Sequence, residues 1–280
     1  MSAAGYLDHL TDADLALLGE VTGGASAAEL RARPDRMLAS LSDPRAFAAL
    51  FTAAPGSPQL MVRASPFLAF ACLVERATHE LGTARSVAEP VGGRRWVPVF
   101  DVHELREFVA PPARRLFLAE LLASYTRVAS GAVWVRGRRR WRRRRFSELD
   151  VGQLAGMLDV VAPAERPGVF RRLGDLALFL TGVFPDSCEQ RLAAMSSTER
   201  ALRAAGVGGL GGADHGSVPY LEMLGAQCYR QACASAAGPT ASMAVVGEVA
   251  DEFSRARRVL NFMTERHLFA ARERWFGGLG

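Results

Sequence analysis

Apolar residues return at helical spacing along most of this chain. Phe67, Phe70, Ala71, Val74, Thr78 and Leu81 share one face, which predicts a helix over 66–82 opened by Ser65-Pro66. The stretch GVFRRLGDLALFLTGVF (168–184) is apolar nearly all round, as the central helix of a core should be, and Pro185 ends it. Helices are further expected at 101–109, and at 112–129 behind Pro111-Pro112. Others are expected near 148–161 with Ser147 as cap, near 189–205, and at 218–235 and 240–273. The first 60 residues read as short helices with explicit start signals. These are Thr11 followed by Asp14, Ser26 followed by Glu29, and Asp43 before Pro44.

Two stretches alternate differently. SVAEPV and RRWVPV flank Gly92-Gly93, a pair suited to a hairpin turn that needs positive φ, while Pro90 and Pro98 confine both strands to edges. AVWVR and RRWRRRRF flank Gly137-Arg138, with Gly at the first turn position of a type II′ turn. The expected fold is mainly α, a multi-helix bundle-like body with two small β-hairpins at about 86–99 and 132–146. Its segments are a lead-in over 1–60, a main body over 65–205, a Gly-rich joint at 206–217 and a C-terminal helical pair over 218–280.

Composition changes this picture in one respect. Apolar residues make up 49% and charged residues 22%, which excludes a disordered chain. All 34 basic residues are Arg, Ile is absent and Asn occurs once, at Asn261, the mark of a high-GC bacterial genome. Arg abundance therefore carries no functional weight, whereas Arg placement does. Eight of the ten residues from Arg136 to Arg145 are Arg, and removing those eight leaves 26 Arg against 29 acids, so the net charge of +5 has a single source.

A two-residue turn at Gly137-Arg138 pairs Arg136 with Arg139 and sets Trp134 across from Trp141. Guanidinium groups interleaved with indoles suit a polyanion, and single-stranded nucleic acid above all, because bases stack on rings while Arg neutralises phosphate. The candidate contact residues are Trp134, Arg136, Arg138, Arg139, Arg140, Trp141, Arg142, Arg143, Arg144 and Arg145. The same hairpin could instead dock an acidic protein surface, including that of another subunit in a homo-oligomer, or be solvated with Arg stems covering the indoles.

Other candidates are thinner. Gly206-x-Gly208-x-x-Gly211 matches the dinucleotide fingerprint by letter, but a helix precedes it where a strand is required, so it reads as a linker. Cys72, Glu75 and His79 lie on one helical stripe without a fourth ligand, and no metal site is expected. Asp175 sits inside the apolar helix and needs a partner, which Arg171 or Arg172 can supply. With Glu222, Tyr229, Cys233 and His267 it defines a possible ligand pocket between the core helix and the C-terminal helices. No catalytic or cofactor motif occurs, and no cofactor is expected. Four scattered Cys without a pairing framework, an N-terminus lacking a basic start, and a longest apolar run of about nine residues against about 20 for a membrane span point to the cytoplasm. Three functions follow from these readings. The first is a binding protein for nucleic acid, the second a helical enzyme or ligand-binding protein, and the third a scaffold that docks an acidic partner.

Overall fold

A computed structural model describes residues 3–52, 63–90, 95–136, 141–189, 207, 216–238 and 240–268, with the backbone alone at 90, 133–136 and 141–145. It is mainly α, with thirteen α-helices and two separate two-stranded sheets among the described residues. The chain divides into two compact units that interleave in sequence. One takes residues up to 87, 98–126 and 262–277; the other takes 88–97, 127–261 and 278–280. The segment 65–205 thus contributes to both.

The first unit opens with α1 (Ala4–Leu7), α2 (Asp12–Thr22), α3 (Ala27–Ala32), α4 (Pro34–Leu41) and α5 (Pro44–Phe51). Their starts are where the capping signals put them. Thr11 and Asp14 close a capping box on α2, Ser26 and Glu29 another on α3, and Asp43 caps α5 through the Arg45 N–H. Asp14 is buried and fully used, because its second oxygen accepts from the Ser65 N–H at 2.7 Å. That bond holds the start of α6 (Pro66–Thr83), whose apolar face lies against α5 and the helix Pro112–Ser124. Helices α7 (Val102–Val109) and α8 (Pro112–Ser124) complete the set, with Phe70, Phe108, Phe117 and Tyr125 fully buried.

The second unit is built on the helix Arg166–Val183. Its chain runs through β3 (Ser130–Arg136), β4 (Trp141–Ser147), α9 (Val151–Ala155), α10 (Arg166–Val183), α11 (Ser217–Ser235), α12 (Ala241–Asp251) and α13 (Phe253–Met263). Helix α10 is buried along most of its length, as its all-round apolar sequence demands. It meets its neighbours at glycines. A Cβ on Gly174 would stand within 3.0 Å of three ring atoms of Tyr229 from α11, and one on Gly182 would meet Leu260 Cβ of α13 at 2.7 Å. A Cβ on Gly225 of α11 would lie 2.8 Å from Ala177 Cβ of α10. These three positions let the backbones approach more closely than any side chain permits.

Two expectations on helix limits are corrected. Ser147 is the last residue of β4; the helix after it is capped by Asp150, which accepts from the Gln153 N–H at 2.9 Å, because the Ser147 hydroxyl is taken by the Leu149 N–H. The span 240–273 is not one helix. It breaks at Glu252 (φ −115°, ψ 32°), and Phe253 begins α13 with its ring 5.8 Å from that of Tyr229. Positions 190–205 of the helix expected at 189–205 and the glycines at 206, 208 and 211 lie outside the described residues, as does His215. Among the described residues no helix is long and apolar enough to cross a membrane.

Candidate functional site

The Arg-rich segment folds as an antiparallel ribbon whose pairs run from Ser130↔Ser147 to Arg136↔Trp141. Strand β3 brings Val133, Trp134 and Val135, residue types that favour extended backbone. At its base Phe146 lies over Gly131, where a Cβ would come within 3.1 Å of the ring. Just beyond, Glu148 closes the ladder, with its N–H on the Ala129 carbonyl at 3.1 Å and its carboxylate accepting from the Ala129 N–H at 3.0 Å. The same carboxylate pairs with Arg172 of α10 at 3.0 Å. The ribbon is therefore rooted on the central helix through one acid, which matters because an isolated two-stranded hairpin is marginal in water.

The register differs from the expected one. Positions 137–140 lie between the last paired residues, so Trp134 stands across from Arg143, and Arg136 across from Trp141. A two-residue turn would have set Arg136 against Arg139, a like-charge pair that destabilises a sheet. In the observed ladder every Arg is opposite an uncharged residue: Ala132, Val133, Trp134, Val135 or Trp141. Alternation then puts positions 134, 136, 141 and 143 on one face of the ribbon, with Trp and Arg in a checkerboard, and 142 and 144 on the other with Val133 and Val135. Arg138, Arg139 and Arg140 lie outside the described residues. Arg occurs on both faces, so neither can enter an apolar core without stranding charge.

The electrostatic imbalance of the chain follows the units. Residues 88–97 and 127–261 hold 21 Arg against 14 Asp and Glu, a formal +7, while the remaining 13 Arg and 15 acids give −2. The excess positive charge is concentrated in the unit that carries the ribbon.

Four of the five residues of the expected pocket, Asp175, Glu222, Tyr229 and Cys233, lie in the second unit. Asp175 and Tyr229 do meet: the buried Tyr229 hydroxyl donates to Asp175 Oδ1 at 2.8 Å, and Arg171 Nε stands 4.0 Å from Oδ2. Glu222 is paired with Arg257 of α13, while the Cys233 thiol faces the Met243 carbonyl of α12 at 3.3 Å. His267 belongs to the first unit, where Nε2 lies 3.0 Å from Glu80, which also pairs with Arg76 at 2.7 Å. Burial alone raises the Glu80 carboxyl, but His267 and Arg76 hold it below its ordinary value. On α6, Glu75 is bound to Arg115 at 2.6 Å and to the Ser42 hydroxyl at 2.8 Å, and burial pushes the Cys72 thiol up to about 12. Among the described residues no group of three or more His, Cys, Asp or Glu is arranged to hold a metal ion.

Sequence reasoning missed a buried polar network in the second unit. Arg257 bonds Glu89, Glu222 and the Asn261 amide oxygen, while Arg258 pairs with Glu89 at 3.4 Å. The Asn261 amide donates to the Thr181 and Gly182 carbonyls at 2.9 and 2.8 Å, two of the carbonyls that the end of α10 leaves without helical partners. The only signal for it was that Asn occurs nowhere else in the chain.

No family model, no curated protein and no solved structure matches this chain.

Proposed function

We propose that the β3–β4 ribbon is the contact surface of a nucleic-acid-binding protein, with single-stranded DNA or RNA as its ligand. The observation that carries this reading is the register, which alternates Trp134, Arg143, Arg136 and Trp141 over one face of a ribbon rooted on α10. Arg supplies attraction to phosphate at any sequence, and the indoles offer surfaces on which bases stack. Eight arginines within ten residues repel one another, and a phosphate backbone relieves that repulsion.

The test is a salt titration of binding to labelled oligothymidylate. Each single-strand phosphate contact contributes about −0.7 to the slope of log K against log salt, so replacing Arg142, Arg143, Arg144 and Arg145 by Ala flattens the slope by up to about 3. Replacing Trp134 or Trp141 by Ala costs about 1–3 kcal/mol at every salt concentration. A quadruple Arg variant that folds and binds as the parent does removes the ribbon from the site. A parent that binds neither single-stranded DNA nor RNA, yet retains an acidic protein at low salt, makes the ribbon a protein-docking surface.

A further inference from the structure

The β3–β4 ribbon leaves one edge open. Among the described residues β3 pairs with β4 alone, and Ser130 and Gly131 at its start are exposed. The Glu148 N–H bonds the Ala129 carbonyl, so on the alternation of an antiparallel ladder positions 131, 133 and 135 turn their backbone groups to β4. Positions 130, 132, 134 and 136 turn theirs outward. An open row of N–H and C=O groups is a template for another strand unless charge or proline blunts it. In the other hairpin, β1 (Val87–Pro90) and β2 (Trp96–Val99), both strands contain proline. In the ribbon, β4 carries Arg at 142–145, whereas β3 has neither charge nor proline from Ser130 to Val135.

Charge and register select a second copy of the same strand as the occupant. Two β3 strands set antiparallel about Val133 place Ser130 opposite Arg136, Gly131 opposite Val135 and Ala132 opposite Trp134, a small residue against a larger one at each step and no Arg against Arg. The outward groups of 130, 132, 134 and 136 then meet one another, as the ladder requires. Pairing through β3 keeps the two Arg-rich β4 strands three strand spacings apart, about 14 Å, beyond the screening length of about 8 Å at physiological salt. Pairing through β4 would set them side by side at about 4.8 Å. It also gives four strands where an isolated pair is marginal. We infer that this protein self-associates through β3, forming a two-fold symmetric sheet in the order β4, β3, β3, β4. Directly opposed residues share a face, so the Trp and Arg checkerboards of both copies lie on one side of that sheet. That the joined face takes one nucleic-acid strand rests on the reading of the ribbon given above; the pairing itself rests on backbone and charge.

The experiment uses the full-length chain without nucleic acid, in sedimentation equilibrium and oxidative cross-linking, with far-UV circular dichroism as the folding control. The parent sediments as a dimer at micromolar concentration. Val133→Cys sets two thiols across the two-fold axis, at the Cα separation of about 4.5 Å of a non-hydrogen-bonded pair, which a disulfide can span. Mild oxidation then gives a covalent dimer on a non-reducing gel. Val135→Cys gives none, because its two copies lie about 14 Å apart along the strands. Cys72, Cys188 and Cys228 are buried and Cys233 is half-buried, and the oxidised parent measures their contribution. Ala132→Pro removes one outward N–H from each copy and no bond to β4, and it raises the dimer dissociation constant by about fivefold to a hundredfold, the worth of two hydrogen bonds. A monomeric parent, or Val133→Cys cross-linking no better than Val135→Cys, overturns the inference and leaves the edge to a strand of another protein. If the chain cross-links through position 133 yet the parent binds no oligonucleotide, the pairing stands and the nucleic-acid reading alone falls.

Discussion

Replacing Gly174 by Ala sets two effects of opposite sign against each other. In the interior of α10, Ala in place of Gly stabilises a helix by about 0.5–1 kcal/mol. Against this, the added Cβ would stand within 3.0 Å of three atoms of the Tyr229 ring. The ring has little room to yield, because it is fully buried, lies 5.8 Å from Phe253, and has its hydroxyl tied to Asp175, the residue next to Gly174. Overpacking of this kind costs about 1–3 kcal/mol, and drawing the hydroxyl off a carboxylate costs about 1.5–3 more. The net expectation is a loss of about 1.5–5.5 kcal/mol. Urea denaturation followed by circular dichroism measures it as a lower midpoint at unchanged slope. The companion measurement uses a Tyr229→Ala background, where the obstructing ring is gone and Gly174→Ala should stabilise by about 0.5–1 kcal/mol. A Gly174→Ala variant as stable as the parent, or a loss of the same size in both backgrounds, would refute the close approach of α10 and α11.

Three further outcomes are expected. Asn261→Leu leaves the Thr181 and Gly182 carbonyls buried without their donor and costs about 1–3 kcal/mol for each, so an unchanged thermal midpoint would show that the bonds contribute nothing. Glu80 has a lowered pKa in the fold, so its pairing stabilises above its ordinary value of 4.5 and is lost as pH falls through the lower folded value. Glu80→Gln is therefore less stable than the parent at pH 7, and the gap closes below about pH 4.5; a gap independent of pH refutes the assignment. The Cys72 and Cys228 thiols, pushed up to about 12 by burial, stay unlabelled by a disulfide reagent at pH 8 while the half-buried Cys233 reacts, and rapid labelling of all four would contradict that packing.

Where causes were local, they could be read directly from the residues. The caps at Thr11, Ser26 and Asp43 act over three residues or fewer, and the apolar surround of 168–184 could only be a core helix. What escaped depends on residues far apart. Arg171 or Arg172 was the expected partner of Asp175, and Arg171 does stand 4.0 Å away, but the short hydrogen bond comes from Tyr229, 54 positions later, whose ring Gly174 admits. The break at Glu252 lies within an unbroken helical pattern and reflects where Phe253 packs. In the ribbon, the two strands and the alternation of Trp with Arg were legible, whereas the register was not. Gly137 favours a tight turn, but like-charge opposition of Arg136 and Arg139 disfavours the ladder that turn would set.

The lone asparagine shows how a skewed alphabet constrains a fold. In this chain Lys and Ile are wholly replaced, so whatever they do elsewhere has been reassigned to Arg, Leu and Val. Asn261 survives where one compact side chain must give two protons to adjacent carbonyls and take one from Arg257. Asp offers no proton when ionised, Ser offers one, and Gln carries the same amide on a longer and looser stem. A residue type found nowhere else in the chain thus stands at the point where the central helix has to end.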